Sequence, residues 1–355
     1  VVKGDLAFAV PGDLDTPTGG YAYDKRMIAE LGALGWRVQA LNIGEGFPRP
    51  SAATRGKAEA MLEAVPAGRP IVIDGLALGV LPEVAARLSA SHPLLAMVHH
   101  PLALETGVGV DEAVALRKSE RDALARTRAV VVNSATTACA LRRDYDVPAD
   151  RITVAPPGTD RPPVAIAPRA GHDPGEVALL AVGSAVPRKG YDVLCAALAG
   201  LCALRWHVTI AGDMGRDPAT AARLKADIAR FGLVDKVTIE DAVTSDRLAT
   251  LYARADVFVL PSRYEGFGMA YAEAIAHGLP VIGTTAGAIP DTVPPSAGIL
   301  VPPDDVAALA AALRTLIASS AERARLSAGA RAASSRLPTW RGSAELFASA
   351  IERVA

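Results

Sequence analysis

Short apolar, β-branched runs alternate with amphipathic helical patterns along this whole sequence, and they do so in two successive series. The first series is DLAFAV (5–10), RVQAL (37–41), PIVID (70–74), LLAMV (94–98), AVVVN (129–133) and RITVA (151–155). The second is EVALLAVG (176–183), HVTIAG (207–212), KVTIE (236–240), DVFVL (256–260), PVIG (280–283) and GILV (298–301). Strands that read as continuous apolar runs with helices between them belong to parallel sheets covered on both faces. Met27, Leu31 and Leu34 fall at i, i+4 and i+7 in a helix expected over Tyr21 to Leu34, and Leu81 to Leu88 and Thr136 to Arg143 read similarly. Asp304 or Asp305 can cap a helix through Val306 to Ile317, and Leu337-Pro338-Thr339 opens a last one. Between the two series, six of the nineteen residues from Pro156 to Pro174 are proline and no periodicity survives, which reads as an interdomain linker. The expected fold class is α/β, with two Rossmann-like doubly wound domains. The boundaries are 1–160, a linker over 161–175, a second domain over 176–337, and a C-terminal helix over 338–355. Open parallel sheets bind ligands beyond the carboxyl ends of their strands, so two in tandem create a cleft and the informative residues belong on βα loops.

At roughly 150 residues per domain, 355 residues agree with two domains. Thirty-seven basic against 38 acidic residues leave a net charge of −1, so no global field attracts nucleic acid or a membrane. Any polyanionic partner has to be met locally. Cys139, Cys195 and Cys202 form no CxxC pair and no ligand cluster with the six histidines, which points to a reducing compartment, no structural zinc and cysteines buried as small apolar side chains. No apolar stretch approaches the ~20 residues of a membrane span and no targeting segment is evident, so a cytoplasmic location is expected.

The stretch PSRYEGFGMAYAEAIAHGLPVIGTTAGAIP (261–290) follows the strand DVFVL directly, in the order strand, loop, helix, strand. Glu265 lies in the loop, Gly266 and Gly268 allow close backbone approach, and a helix from about Met269 to His277 begins with N–H groups that form an anion site. Glu273 sits one turn inside that helix. A loop acid facing the group beyond bound phosphates and a helix acid receiving ribose hydroxyls describe a nucleotide-sugar site.

Glu265-x7-Glu273 followed by AHGLPVIGTTAGAIPD resembles the donor-site signature of family 4 of the retaining glycosyltransferases. The resemblance covers nearly the whole chain. It implies a GT-B fold, a nucleoside diphosphate sugar as donor, a hydroxyl acceptor, no cofactor and no metal, with the last helix returning to the first half. In VGSAVPRKGYDVLCAAL (182–198) the family's phosphate-clamping Lys matches Lys189, its Arg position holds Ser184, and Arg188 is the nearest substitute guanidinium. Gly19-Gly20, preceding a helix, match the family's Gly-rich loop, with Gly20 against the donor. His99 matches the family's cleft histidine, with His100 second. Gly212 and Asp213 resemble a loop near the donor. The implied catalytic set is Glu265, His99, Lys189 and Arg188; the donor would also meet Phe267, Met269 and Ala270 around Gly268. Glu265 is cast as positioning and electrostatic support rather than as nucleophile.

Neither His99 nor His100 has a cysteine or carboxylate at metal-ligand spacing, so zinc is not expected. The basic run RKSERDALARTR (117–128), with Glu120 and Asp122 among it, reads as a solvated helix face, although a lipid-linked acceptor would bring peripheral contact with the inner membrane face. Three rivals carry weight: a nucleotide-sugar binding protein without transferase activity, an epimerase or phosphorylase of the same architecture, and a nicotinamide dehydrogenase. The last is disfavoured because the first βα turn lacks G-x-G-x-x-G.

Overall fold

A computed structural model describes residues 3–105, 107–162 and 175–355; most of the linker expected over 161–175 lies outside the described residues. Twelve strands form where the apolar runs lie. The first six are β1 (Gly4–Val10), β2 (Trp36–Asn42), β3 (Ile71–Asp74), β4 (Leu94–Val98), β5 (Ala129–Val132) and β6 (Ile152–Val154). The second six are β7 (Val177–Val182), β8 (Trp206–Ala211), β9 (Val237–Glu240), β10 (Val257–Val259), β11 (Val281–Thr284) and β12 (Gly298–Val301). Each set makes one six-stranded sheet, and every pairing in both is parallel.

Strand order is β2-β1-β3-β4-β5-β6 in the first sheet and β12-β11-β10-β7-β8-β9 in the second. The chain winds outward from β1 to one side and returns to the other side at β3; in the second sheet the same reversal falls between β7 and β10. At such a point the loops leaving two neighbouring strands turn to opposite faces and leave a crevice at the carboxyl edge. The two crevices are therefore bounded by the loops after β1 and β3 and by the loops after β7 and β10.

Local chemistry sets the helices. Thr18 caps Gly19–Ala33, so Gly19 and Gly20 begin this helix rather than preceding it. Asp305, not Asp304, caps Val306–Ala318, and Thr339 caps Trp340–Glu352. The chain divides into two compact units, Val1–Gly158 with Pro338–Ala355, and Thr159–Leu337. Within the first unit the last helix packs Phe347 on Phe8 and anchors Ser343 Oγ on the Pro156 carbonyl. A Cβ at Gly158 would lie 2.1 Å from the Trp340 amide nitrogen, so only glycine lets the chain pass there.

Two expectations are corrected. Only Cys195 is buried; Cys139, on the outer side of its helix, and Cys202, in the turn after a later helix, are exposed. Glu120 is not part of a solvated face. It shares the inward face of Val110–Leu124 with Leu116, Ala123 and Leu124, and its Oε2 accepts the Leu102 N–H at 3.0 Å. Burial pushes its carboxyl up to about 8 despite that bond. Among the described residues no helix is long and apolar enough to cross a membrane.

Candidate functional site

In the second unit the loop after β7 is a single 3-10 turn, Pro187–Lys189, closed by Gly190 at φ +69°. A Cβ on Gly190 would lie 2.2 Å from the Pro261 carbonyl oxygen, so this glycine lets the turn run against the segment leaving β10. The Arg263 N–H donates to the Arg188 carbonyl at 2.8 Å, and the Arg263 guanidinium holds Asp192 and Asp304, each at 2.7 Å. The two loops of the reversal point are thus joined.

Glu265 lies at their junction and is only 7% exposed. Its Oε1 accepts from Lys189 Nζ and from Ser262 Oγ, both at 2.7 Å, and its Oε2 accepts from Arg188 Nη1 at 2.8 Å. Arg188 Nη1 also reaches the Tyr264 carbonyl. Burial opposes the charge on this carboxylate, but Lys189 and Arg188 outweigh it and hold the group at about 2. Such a carboxylate is a weak base and a weak nucleophile. Its evident physical effect is to gather two cations at the carboxyl edge of the sheet. Its own backbone is fixed from behind by Gly287, where a Cβ would fall 2.3 Å from the Glu265 carbonyl oxygen, and by the Ala288 N–H at 2.9 Å.

Gly268, at φ +92°, starts the helix Met269–Ala276, and Thr292 Oγ1 donates to the Phe267 carbonyl at 2.7 Å. The opening turn therefore points its N–H groups out of the same loop that carries Glu265. Gly266, Phe267, Met269 and Ala270 are half-buried along it. Glu273 accepts from Tyr252 Oη at 2.8 Å, and the Tyr252 ring stacks on His277. Burial raises Glu273 to about 7, against the Tyr252 hydrogen bond. Ser184 is half-buried after β7, and Gly212 passes so close that a Cβ would lie 2.3 Å from the Gly183 carbonyl oxygen. Close packing of two loops is what Gly212 provides in this unit.

The first unit carries a second cluster at its own reversal point. His99 follows β4, Asp74 ends β3, and Asp24 lies on the helix after β1. His99 Nε2 sits 3.2 Å from Asp24 Oδ1 and 3.3 Å from Asp74 Oδ2. Asp24 and Asp74 are buried, and Asp74 Oδ1 also accepts the Leu76 N–H at 2.6 Å. Gly20 lies against the imidazole, where a Cβ would stand 3.4 Å from Cδ2, and Tyr23 meets the ring edge-on. Burial pushes His99 down, but the two carboxylates overcome this and raise it to about 10. Burial also pushes Asp24 well up, whereas His99 and the Leu76 N–H keep Asp74 low. Two adjoining buried carboxylates resist double ionisation; Asp74, with a backbone donor, keeps its charge and Asp24 bears the penalty.

The expectation that His99 and His100 lack carboxylate neighbours is therefore corrected: folding brings Asp24 and Asp74 to His99, and Glu105 to His100 at 2.8 Å. Asp24, Asp74 and His99 are also the one group found among the described residues whose ligand atoms, within 4.8 Å of one another, could hold a metal ion. The contacts present are hydrogen-bond distances from one nitrogen. Sequence reasoning missed Asp24, Asp74, Ser262 and Tyr252. Asp24 was detectable as an acid on the stripe with Met27 and Leu31, and Asp74 as an acid ending a buried strand.

The sequence matches the family described as Glycosyltransferase Family 4 over residues 29–161 and that described as Glycosyl transferases group 1 over residues 176–319. An MMP alpha-(1->4)-mannosyltransferase of Mycolicibacterium hassiacum is 30% identical over 334 residues, 87% of this chain and 77% of that protein. A D-inositol 3-phosphate glycosyltransferase of Xylanimonas cellulosilytica is 37% identical over 230 residues, 61% of this chain. The match spans about half the length of that relative, 55%. Among solved structures, sucrose-phosphate synthase of Thermosynechococcus elongatus has a TM-score of 0.82 at 23% identity, covering 99% of both chains. HepE of Anabaena, solved with UDP-glucose, has a TM-score of 0.76 at 18% identity, covering 98% of this chain and 99% of that one. These two likenesses concern the fold.

Proposed function

Since the chain belongs to glycosyltransferase family 4, we propose that it is a retaining glycosyltransferase that moves a hexose-type sugar from a nucleoside diphosphate sugar to an acceptor hydroxyl without a metal ion. The observation that carries this reading is the buried Glu265 holding Lys189 and Arg188 together beside the helix that starts at Met269.

As the bond from the sugar to the diphosphate breaks, negative charge grows on the departing phosphate. Lys189 and Arg188 carry two positive charges against the one on Glu265, and the helix start adds about half a charge more. Fixed in advance by Glu265, these groups need little reorganisation when the leaving group charges up. Glu265 itself, held at about 2, is poorly suited to attack the anomeric carbon; same-face departure and attack, with the leaving phosphate oxygen taking the acceptor proton, suits it better. Glu273 would receive the ribose hydroxyls, and Gly266 to Ala270 would line the phosphates. In the first unit, His99 and Gly20 would meet the sugar or acceptor. That HepE is solved with UDP-glucose supports the donor class.

The test is release of nucleoside diphosphate from UDP-, GDP- and ADP-sugars across an acceptor panel, with and without EDTA, and the product anomer read by NMR. Turnover that survives EDTA, with retention, is the expected result. Lys189→Ala and Glu265→Gln should each lose roughly 100-fold or more in turnover, measured at a temperature where circular dichroism shows the variant still folded. Wild-type turnover in either variant sinks the assignment, and donor binding without transfer or hydrolysis would make the protein a binding module.

A further inference from the structure

Buried carboxylates are costly unless paired, and the first unit buries two of them against a single imidazole nitrogen. We propose that Asp24 and Asp74 are positioning residues that lock His99 as an imidazolium and turn its Nδ1–H outward as a fixed donor to a substrate hydroxyl. His99 is then a hydrogen-bond donor throughout the reaction and never a proton acceptor. The inference rests on the reading above in which His99 meets the sugar or the acceptor.

Three observations support it. Both carboxylates lie within hydrogen-bond distance of Nε2, the geometry of one Nε2–H shared between two acceptors, and no hydrogen bond to Nδ1 is found among the described residues. The ring is also held by Tyr23: the two rings are nearly perpendicular with centroids 5.4 Å apart, and Tyr23 is itself tied to the Ala155 carbonyl. Asp24 is fully buried beside Asp74 as well as beside the ring, so neither carboxyl can turn away to solvent. Facing His99 are Tyr23 and Asp24 from the helix and Asp74 from the end of β3, while His100 is turned to Glu105. One cation against two carboxylates gives this cluster no surplus positive charge, so it fits a neutral hydroxyl and not a phosphate.

The test follows the Cε1–H resonances of the histidines by NMR from pH 5 to 10, with His99→Gln identifying the His99 signal. In the wild type, His99 should stay charged through pH 8; in Asp24→Asn and Asp74→Asn its proton affinity should fall about a thousandfold, towards that of an ordinary histidine. In donor turnover at pH 8, Asp24→Asn should lose tenfold or more in kcat with little change in KM and regain most of it at pH 6, whereas His99→Gln should be impaired equally at both. A wild-type His99 that titrates near the ordinary histidine value overturns the proposal without any variant, so a failure of Asp24→Asn to fold does not shield it. An unchanged His99 titration in both folded Asn variants overturns it as well. Wild-type turnover in His99→Gln would instead remove His99 from the reaction, and the function assigned to its two aspartates with it.

Discussion

The two sheets reverse strand order in the same way, yet their crevices carry opposite polarity. In the second unit one carboxylate, Glu265, binds two cations; in the first, one imidazole binds two carboxylates. The topology provides a place where loops meet, and the charge placed there selects what can bind. A surplus of positive charge beside a helix start suits a diphosphate, while a cation screened by two acids suits hydroxyl groups.

Reversing one charge should break this contrast most severely. Lys189→Glu would set a second carboxylate against buried Glu265, and we expect a loss of about 3–5 kcal/mol in chemical denaturation together with loss of donor binding by calorimetry. A fully stable Lys189→Glu protein would show that the Glu265 cluster is not what joins the two loops.

The clusters should also fail at opposite ends of the pH scale. Glu265 has its folded value lowered to about 2 from an ordinary 4.5, so its stabilisation is complete above 4.5 and is lost as pH falls towards 2, roughly 3 kcal/mol in all. His99 is raised to about 10 from 6.5, so its contribution is complete below 6.5 and is lost as pH rises through 10. Asp24, raised by burial from 3.8 to about 7, acts at lower pH: its cost to the folded state accrues as pH rises from 3.8 to about 7 and is constant above that. Denaturation midpoints of Glu265→Gln and His99→Gln across pH should therefore converge on the wild type at acid pH for the first and at alkaline pH for the second.

Glycines sharpen the contrast at a smaller scale. Gly190→Ala forces a Cβ towards the Pro261 carbonyl at positive φ and should cost about 1–3 kcal/mol in thermal melts. Gly20→Ala meets only ordinary contact with His99, inside a helix, and should leave stability within about 1 kcal/mol of wild type or raise it. Loss of turnover in that stable variant would mark Gly20 as a point of close substrate approach.

The smallest expected effect concerns Glu273. On the proposed role its ionised form would receive ribose hydroxyls, so affinity for UDP-glucose, used as the probe, should rise several-fold as pH passes through about 7, and Glu273→Gln should flatten that rise. A wild-type affinity independent of pH would detach Glu273 from the ribose.

The twelve strands and the loop that carries Glu265 were legible because their signals are local. A continuous apolar run ending in Pro-Ser-Arg-Tyr-Glu-Gly, followed by a helical pattern, already says strand, loop and helix start, and Gly268 and Glu273 can be placed from spacing alone. The Asp304-Asp305 pair and Thr339 announce their helices in the same way, although only the folded chain chooses Asp305. Glu120 shows where this stops: in a run of charges it reads as solvated, and only the packing of Leu102 against its helix reveals that it faces inward.

By itself the sequence determined the periodicity of each element, the order in which the elements follow and the loops on which chemistry could sit, since these depend on neighbours a few residues apart. Tertiary structure alone decided the charge partners. Arg188 and Lys189 reach Glu265 across 77 and 76 positions, and Asp24 reaches His99 across 75. The reversal of strand order closes those distances, and burial then sets which of the gathered groups holds its charge, a balance of desolvation against partners that no local pattern encodes.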